Sequence, residues 1–285
     1  MLRRWPVAGR VGDMSRARTL ALAAAMLVLA APALPRSLQS IIDRNTLTMC
    51  ANPNALPFAS RSGEMPGFQI ELGEKLAERL GVTLSRQWVL SSIQVRRADC
   101  DIVLDTIADK VALEDSGLRP SRPYHRSGVV LAVRDAQAIS SLATLGPGKR
   151  VGVQVGSLAS MTLAKRGIAT TPFVFESEMV AALVASEIDA AAVTPASVGW
   201  HNLTHPQSRV GQIEAFADQP DLNWNVAVGM IRPDDRLRQS VDAALEGLLA
   251  DGSIARIYAR YGVTLRLPNK SKEGRSRRPA LCGYA

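Results

Sequence analysis

Four residues of a type that binds small molecules stand where predicted strands end. They are Asp105, Thr106, Gly156 and Ser157. Open α/β sheets place their ligand sites at the carboxyl ends of strands, so Asp105 and Thr106 are candidate hydrogen-bonding contacts. Gly156 and Ser157 begin a predicted helix, where backbone amides and a hydroxyl can bind an anion. An ordinary helix N-cap explains Ser157 equally well, because serine is a favoured cap residue.

Aromatic residues add candidate contacts of a second kind. Phe58 lies at the tip of a polar loop, and it could enclose a ligand together with Trp224 or simply pack. Asn54 lies in the turn before Phe58, and we include it among the candidate ligand contacts. Tyr124 either lines the same cleft or supports the chain behind it.

Catalytic chemistry has little support in the sequence. The sequence contains no G-x-S-x-G elbow, no H-E-x-x-H zinc motif and no phosphate-binding loop. His201 and His205 are spaced i, i+4, but a zinc site needs three or four ligands and no third one is near. We therefore predict no catalytic residue, no metal and no cofactor.

The elements that must position these residues alternate between strand and helix. Residues 46–81 predict a short strand, a turn and a helix that ends at Gly81. Apolar helix positions recur there at i, i+3, i+4 and i+7: Gly73, Leu76, Ala77 and Leu80. Further strands are predicted at 82–89, 101–104, 127–133, 150–155, 172–175, 188–193 and 225–231, and further helices at 91–98, 156–165, 178–186, 236–250 and 254–261, with one more beginning at Thr194–Pro195. The alternation predicts two α/β units with mainly parallel sheets.

The cysteines predict one disulfide bond. Cys50 ends the first strand and Cys100 precedes the strand at 101–104, and neighbouring parallel strands bring such residues within bridging distance. An exported chain is exposed to an oxidising environment, which favours the bond. Cys282 remains as a free or intermolecular thiol.

The two ends of the chain differ from its body. Residues 1–33 predict a cleaved signal peptide, with Met14 as a possible start, because basic residues precede a short apolar run and an A-x-A site. Residues 268–285 predict a basic, disordered tail. Residues 34–269 hold 24 basic and 24 acidic residues, so the net charge of +8 belongs to the ends. Nucleic-acid binding by the body is not supported.

The order of the motifs resembles that of the type 2 periplasmic solute-binding proteins of ABC transporters. Within that family the chain is most similar to the branch associated with periplasmic quinoprotein (methanol-type) dehydrogenases. The similarity covers roughly residues 45–267 and rests on Cys50–Phe58, Cys100–Val103, Arg122–Ser127, Thr194–Trp200 and Tyr261–Val263.

This resemblance implies two lobes that close around a small ligand. The first lobe would comprise residues 45–133 and 227–267, and the second would comprise residues 134–226. The chain would cross between the lobes near residues 132–135 and 224–230.

Two departures from the family pattern bear on the ligand. Amino-acid binders of this fold carry an arginine soon after a threonine in the first lobe, yet Thr106 is followed by no arginine before Arg119. Those binders hold the amino group with an aspartate, and Thr194 stands at that position. The departures argue against an α-amino acid and add Thr194 to the candidate contacts.

The sequence therefore predicts a non-catalytic binding protein of the periplasm. It would either deliver a small solute to an ABC permease or serve as an accessory to a periplasmic quinoprotein dehydrogenase or its cytochrome. The alternative is a lyase or dehydratase on the same fold, for which Glu71, Asp105 and Glu176 are the candidate acids and bases.

Overall fold

A computed structural model describes residues 36–108, 117–145 and 148–268. The strands are β1 (Thr46–Ala51), β2 (Asn54–Ala55), β3 (Ala59–Ser60), β4 (Thr83–Trp88), β5 (Ile102–Ile107), β6 (Leu118–Pro120), β7 (His125–Gly128), β8 (Val130–Val133), β9 (Arg150–Gln154), β10 (Ala169–Phe173), β11 (Ala190–Val193), β12 (Gly211–Ile213) and β13 (Asn223–Ile231). The α-helices are α1 (Leu38–Asp43), α2 (Phe68–Arg79), α3 (Ser92–Arg97), α4 (Leu158–Lys165), α5 (Glu176–Val184), α6 (Pro195–Thr204), α7 (Asp235–Ala250) and α8 (Ser253–Ala259). Within these ranges no helix is long and apolar enough to span a membrane.

The opening strand–turn–helix unit forms because its apolar residues point to one core. Leu47 and Met49 of β1 are fully buried, and α2 buries Leu72 and Leu76 against the same cluster. Gly81 follows the helix with a φ of 72°, a left-handed conformation that glycine adopts without steric cost.

Two larger sheets share one strand order. The first runs β4-β1-β5-β13-β6, with β7 also paired to β13, and the second runs β10-β9-β11-β8-β12. In each sheet the first three strands are parallel, and the fourth runs antiparallel to its neighbours. The predicted two-lobed α/β fold is confirmed, but the sheets are mixed rather than mainly parallel because the crossing strands run back through them.

The predicted strand at 127–133 is two strands that belong to different sheets. β7 pairs with β13 in the first sheet, and β8 pairs with β11 and β12 in the second. The break is a close approach of the two crossing chains: Val129 N donates to Leu222 O at 2.8 Å, and a Cβ on Gly128 would lie 2.6 Å from that oxygen. The crossings therefore lie near residues 128–130 and 222–223, a few residues earlier in the chain than predicted.

We name the lobes by sheet membership. The first lobe is residues 36–128 and 223–268, and the second lobe is residues 130–222. Residues 130–133 and 223–226 thus change lobes relative to the sequence-based boundaries, because pairing between distant segments decides which sheet a strand joins.

Three predicted element bounds also shift. β5 continues to Ile107 because its end pairs with β13, so Asp105 and Thr106 lie within the strand rather than after it. β10 begins at Ala169, where it pairs along its whole length with β9. α5 begins at Glu176, two residues earlier than expected.

The predicted disulfide bond is confirmed. The sulfur atoms of Cys50 and Cys100 are 2.06 Å apart, and their Cα atoms are 5.6 Å apart. Both residues are buried at the junction of β1 and β5, which are parallel neighbours. The predicted signal peptide and the predicted basic tail, with Cys282, lie outside the described residues.

Candidate ligand-binding site

Asp105 is the centre of a hydrogen-bond network at the end of β5. Its Oδ1 accepts from the Tyr124 hydroxyl at 2.6 Å and from the Tyr258 hydroxyl at 3.4 Å, and its Oδ2 accepts from Gln69 Nε2 at 3.0 Å. Burial raises the pKa of this carboxyl, and the three hydrogen bonds oppose that rise. Its backbone has a φ of 52°, the left-handed region. The carboxylate is therefore engaged by the protein itself.

Tyr124 supports the crossing chain as well as this network. Its side chain is fully buried, and its backbone amide donates to Val226 O of β13 at 2.9 Å. Of the two predicted roles, the structure favours support of the chain behind the cleft.

Phe58 is the partly buried end of a row of aromatic rings. Its ring centroid lies 5.0 Å from that of Phe68, which in turn lies 4.6 Å from that of Tyr258. Trp224 is half-buried in β13 against the same first-lobe core. No ring contact joins Phe58 to Trp224 within the described part of the chain, so the predicted aromatic enclosure is not formed by direct contact.

Thr106 and Asn54 are placed differently from each other. Thr106 Oγ1 donates to Val103 O at 3.2 Å, and its side chain fills the space beside Gly229 of β13. Asn54 is exposed in the short β2–β3 hairpin, and its backbone N–H donates to Asn52 Oδ1 at 2.9 Å. Asn54 is accessible, whereas Thr106 packs between strands.

In the second lobe, Gly156 and Ser157 connect β9 to α4. Ser157 is the N-cap of α4, and its Oγ accepts from Ser160 N at 3.1 Å. Gly156 is exposed with a φ of 69°. The cap role of Ser157 is thus observed, while the exposed glycine leaves the helix N-terminus approachable.

Thr194 holds a second buried carboxylate. Its amide donates to both oxygens of Glu176, at 3.0 and 3.1 Å, and its hydroxyl donates to Glu176 Oε2 at 2.7 Å. The Ser197 hydroxyl also donates to Oε2, and Thr194 caps α6. Burial raises the pKa of Glu176, and these donors partly offset that effect.

The structure links some of the predicted residues and leaves others apart. Tyr124 donates to Asp105 in the first lobe, and Phe58 reaches the same network through the rings of Phe68 and Tyr258. Thr194 belongs to a separate network in the second lobe. Neither Asp105 nor Glu176 forms an ion pair within the described residues. The third candidate acid, Glu71, accepts from the Tyr261 hydroxyl at 2.6 Å and pairs with Arg260.

Sequence reasoning missed several members of these groups. Phe68 and Gln69 are the first two residues of α2, and an aromatic and a polar residue at the start of a helix are a local signal of a candidate contact. The sequence predicts Glu176 only as a candidate acid or base, and its position at the start of a helix shortly after β10 is the local signal for its place beside Thr194. Tyr258 lies 153 residues from its partner Asp105, so no local pattern could have shown it.

A cavity of about 590 Å³ lies elsewhere on the second lobe and contains none of the predicted residues. Its two basic side chains, Lys149 and Arg166, form ion pairs with Asp189 and Asp218. The cavity is therefore not supported as the ligand site.

Comparison with known sequences gives one family. The pattern of the bacterial extracellular solute-binding proteins, family 3, matches residues 47–264. The histidine-binding periplasmic protein of Salmonella typhimurium is 22% identical over 227 residues, which are 74% of this chain and 85% of that protein. The probable amino-acid-binding protein YxeM of Bacillus subtilis is 26% identical over 231 residues, 77% of this chain and 84% of that protein.

Solved structures share the fold. The ancestral amino acid-binding protein AncCDT-1, a precursor of cyclohexadienyl dehydratase, superposes with a TM-score of 0.65 at 20% identity, over 79% of this chain and 99% of its own. An ancestral arginine-binding protein bound to arginine gives a TM-score of 0.60 at 22% identity, over 76% and 98%.

Proposed function

Because this chain belongs to the bacterial extracellular solute-binding proteins, family 3, we propose that it is a periplasmic receptor that closes two lobes on a small solute. The solute is then delivered to an ABC permease. The lobes are those defined by the two sheets, and the chain crosses between them near residues 128–130 and 222–223. Hinge closure of two lobes is the motion by which such receptors retain a ligand.

One observation carries this proposal. The parallel strands of both sheets end in polar, hydrogen-bonded groups: Asp105 on β5 in the first lobe, and Thr194 after β11 in the second. Strand ends are where open α/β sheets bind ligands, and here each lobe supplies one such end. Asn54 and Gly156, shortly after β1 and β9, are exposed, whereas Phe58, between β2 and β3, is partly buried.

The solute of this proposal is not a free α-amino acid. The relatives are named as histidine-binding and amino-acid-binding proteins. In this chain, however, no arginine follows Thr106 before Arg119, and the Thr194 hydroxyl is bound to Glu176. A ligand carboxylate would therefore lack the arginine that it needs when desolvated, and Thr194 offers a ligand ammonium a hydroxyl that already donates to Glu176. A small polar solute without that pair of charges fits better.

The test is native mass spectrometry of the mature protein purified from a periplasm, followed by calorimetric titration. We expect a bound mass that is lost on denaturation, and no heat of binding with L-histidine or L-arginine. Micromolar binding of either amino acid would contradict the proposed ligand class but leave the receptor function standing.

A matched pair of variants tests the site. Phe58→Ala removes the partly buried end of the aromatic row and should weaken binding of the recovered solute by roughly tenfold or more, about 1.4 kcal/mol. Ile42→Ala removes an exposed apolar side chain from α1 and should leave binding unchanged. Equal affinity in the two variants would show that Phe58 is not a ligand contact.

A second candidate, the accessory role beside a quinoprotein dehydrogenase, is supported by exposed apolar side chains. Leu90, Val155 and Val174 are 63%, 63% and 60% exposed. Val155 and Val174 directly follow β9 and β10, and Leu90 follows β4 after one intervening residue. Exposed apolar residues near strand ends suit a protein-binding surface. Sedimentation with a purified methanol-type dehydrogenase and its cytochrome should then show a complex that Leu90→Asp with Val174→Asp abolishes. Independent sedimentation of all components would eliminate this role.

A further inference from the structure

Helix α6 belongs to the second lobe, but one of its faces packs on the first. Ala196, Gly199, Trp200 and Leu203 recur at i, i+3, i+4 and i+7, so they form one stripe. Ala196 is part of the first-lobe core, and Trp200 packs against the same cluster. Val198, on another face, is part of the second-lobe core. The helix is therefore shared between the lobes.

The centre of this stripe is a contact between two glycines. A Cβ built on Gly199 would lie 2.1 Å from the carbonyl oxygen of Gly262, and a Cβ on Gly262 would lie 2.3 Å from the carbonyl oxygen of Gly199. Gly262 also has a φ of 71°. The two backbones approach more closely than any side chain would allow.

The first-lobe side of the contact is held firmly. The ring of Trp200 lies 5.8 Å from that of Tyr261, between centroids. The Tyr261 hydroxyl accepts from Gly67 N at 3.0 Å and donates to Glu71 Oε1 at 2.6 Å. The surface on which α6 rests is thus attached to the start of α2.

The segment after Gly262 continues along the crossing chain. Arg126 N donates to Arg266 O at 2.8 Å, and Arg266 N donates to His125 Nδ1 at 3.2 Å, both on β7. The Arg266 guanidinium forms an ion pair with Glu214, just after β12 of the second lobe, at 2.8 Å. Residues 261–266 therefore touch both lobes.

We propose that the Gly199–Gly262 contact is a third connection between the lobes, a pivot on which α6 turns when the cleft opens or closes. The two glycines meet backbone to backbone, so at this point of α6 neither residue has a side chain that a small rotation must displace. The ion pair of Arg266 limits how far the second lobe can turn. The inference rests on the two-lobed fold and needs no ligand.

The test measures the distance between the lobes in the ligand-free protein. Spin labels at Gln239→Cys on α7 and Lys165→Cys on α4, both exposed positions, report that distance by pulsed electron resonance. Cys282→Ser removes the remaining free thiol from the full chain. We expect one narrow distribution in this background, and a shift to longer and broader distances when Gly199→Ala is added.

Gly247→Ala is the matched control. Gly247 is also inside a helix, but its added Cβ would meet only the flexible end of Arg79, at 2.7 Å. This variant should keep the narrow distribution. If Gly199→Ala does not fold, the same distance is measured in Trp200→Ala, which removes the adjacent ring contact without adding an atom. An unchanged distribution in the folded pivot variant, or an equal shift in the control, would overturn the proposal.

Discussion

At the scale of single residues, two buried carboxylates organise the candidate site. Asp105 and Glu176 each accept several hydrogen bonds from hydroxyl or amide groups, and burial raises the pKa of both. A buried charge that lacks its donors costs more than the net value of the bonds themselves. The donors around each carboxylate therefore stabilise the folded lobe as well as forming part of the candidate site.

Removing the shortest donor to Asp105 should destabilise the first lobe. Tyr124→Phe deletes the hydroxyl at 2.6 Å and leaves the carboxylate with fewer partners, so we expect the free energy of unfolding to fall by about 1–3 kcal/mol. Urea denaturation measures the change. Tyr258→Phe, which deletes the donor at 3.4 Å, is the control and should cost less. The reverse order would contradict the assigned network.

His125 should make stability depend on pH below neutrality. Burial, the largest cause, lowers its pKa from 6.5 to about 4, a hydrogen bond with the Arg266 backbone opposes this shift, and the charges of Arg266 and Arg126 add to it. The folded state therefore holds the ring neutral, whereas the unfolded chain protonates it. Its stabilising effect is complete above pH 6.5 and is lost as the pH falls towards 4, by at most ~1.4 kcal/mol per pH unit.

The comparison protein for this effect is His125→Asn, which keeps an acceptor and does not titrate. As the pH is lowered from 7 to 4, the free energy of unfolding of the protein with His125 should fall relative to that of His125→Asn. Parallel curves would show that unfolding does not change the protonation of His125 in this pH range.

At the scale of elements, the crossing between lobes depends on a close backbone approach. β7 and β8 are consecutive strands in different sheets, and Gly128 stands at the break. The chain there passes Leu222, which begins the return crossing. The crossing is thus defined by where two distant segments meet.

Gly128→Ala should disturb this crossing. The added Cβ would lie 2.6 Å from Leu222 O, a backbone atom that cannot move aside cheaply, so we expect a loss of about 1–3 kcal/mol in unfolding free energy. Gly211→Ala is the control, because its nearest neighbour is the Ala136 Cβ at 3.3 Å. Similar losses in thermal and urea denaturation for both variants would remove the special role of Gly128.

At the scale of the whole molecule, two sheets of the same strand order are joined by two crossing chains and by the segment after Gly262. That segment buries Val263, packs Leu265 on the first-lobe core and pairs Arg266 with Glu214. The end of the fold therefore contributes to both lobes.

Two truncations separate this segment from the predicted basic tail. Deleting residues 269–285 should leave the unfolding free energy unchanged, because the sequence predicts a solvated tail there. Deleting residues 263–285 should lower it by roughly 3 kcal/mol, since burying one valine or leucine contributes about 1.5–3 kcal/mol. Equal stability of the two truncated proteins, measured by calorimetry, would contradict this role.

The sequence by itself determined the fold class, the alternation of elements and the Cys50–Cys100 bond. These features depend on local periodicity, on turn residues and on spacing along neighbouring strands, all of which are encoded within short windows. The same local patterns located the start of α4 at Ser157, whereas Asp105 proved to lie within β5 rather than after it.

The tertiary structure decided what each of those residues does. Asp105 faces Tyr258 from 153 residues away, Thr194 faces Glu176, and Gly199 meets Gly262. The sheet that β8 joins was likewise set by its pairing with β11, nearly 60 residues later. Such contacts depend on shape and burial between distant segments, and a sequence pattern read along one chain carries no direct signal for them.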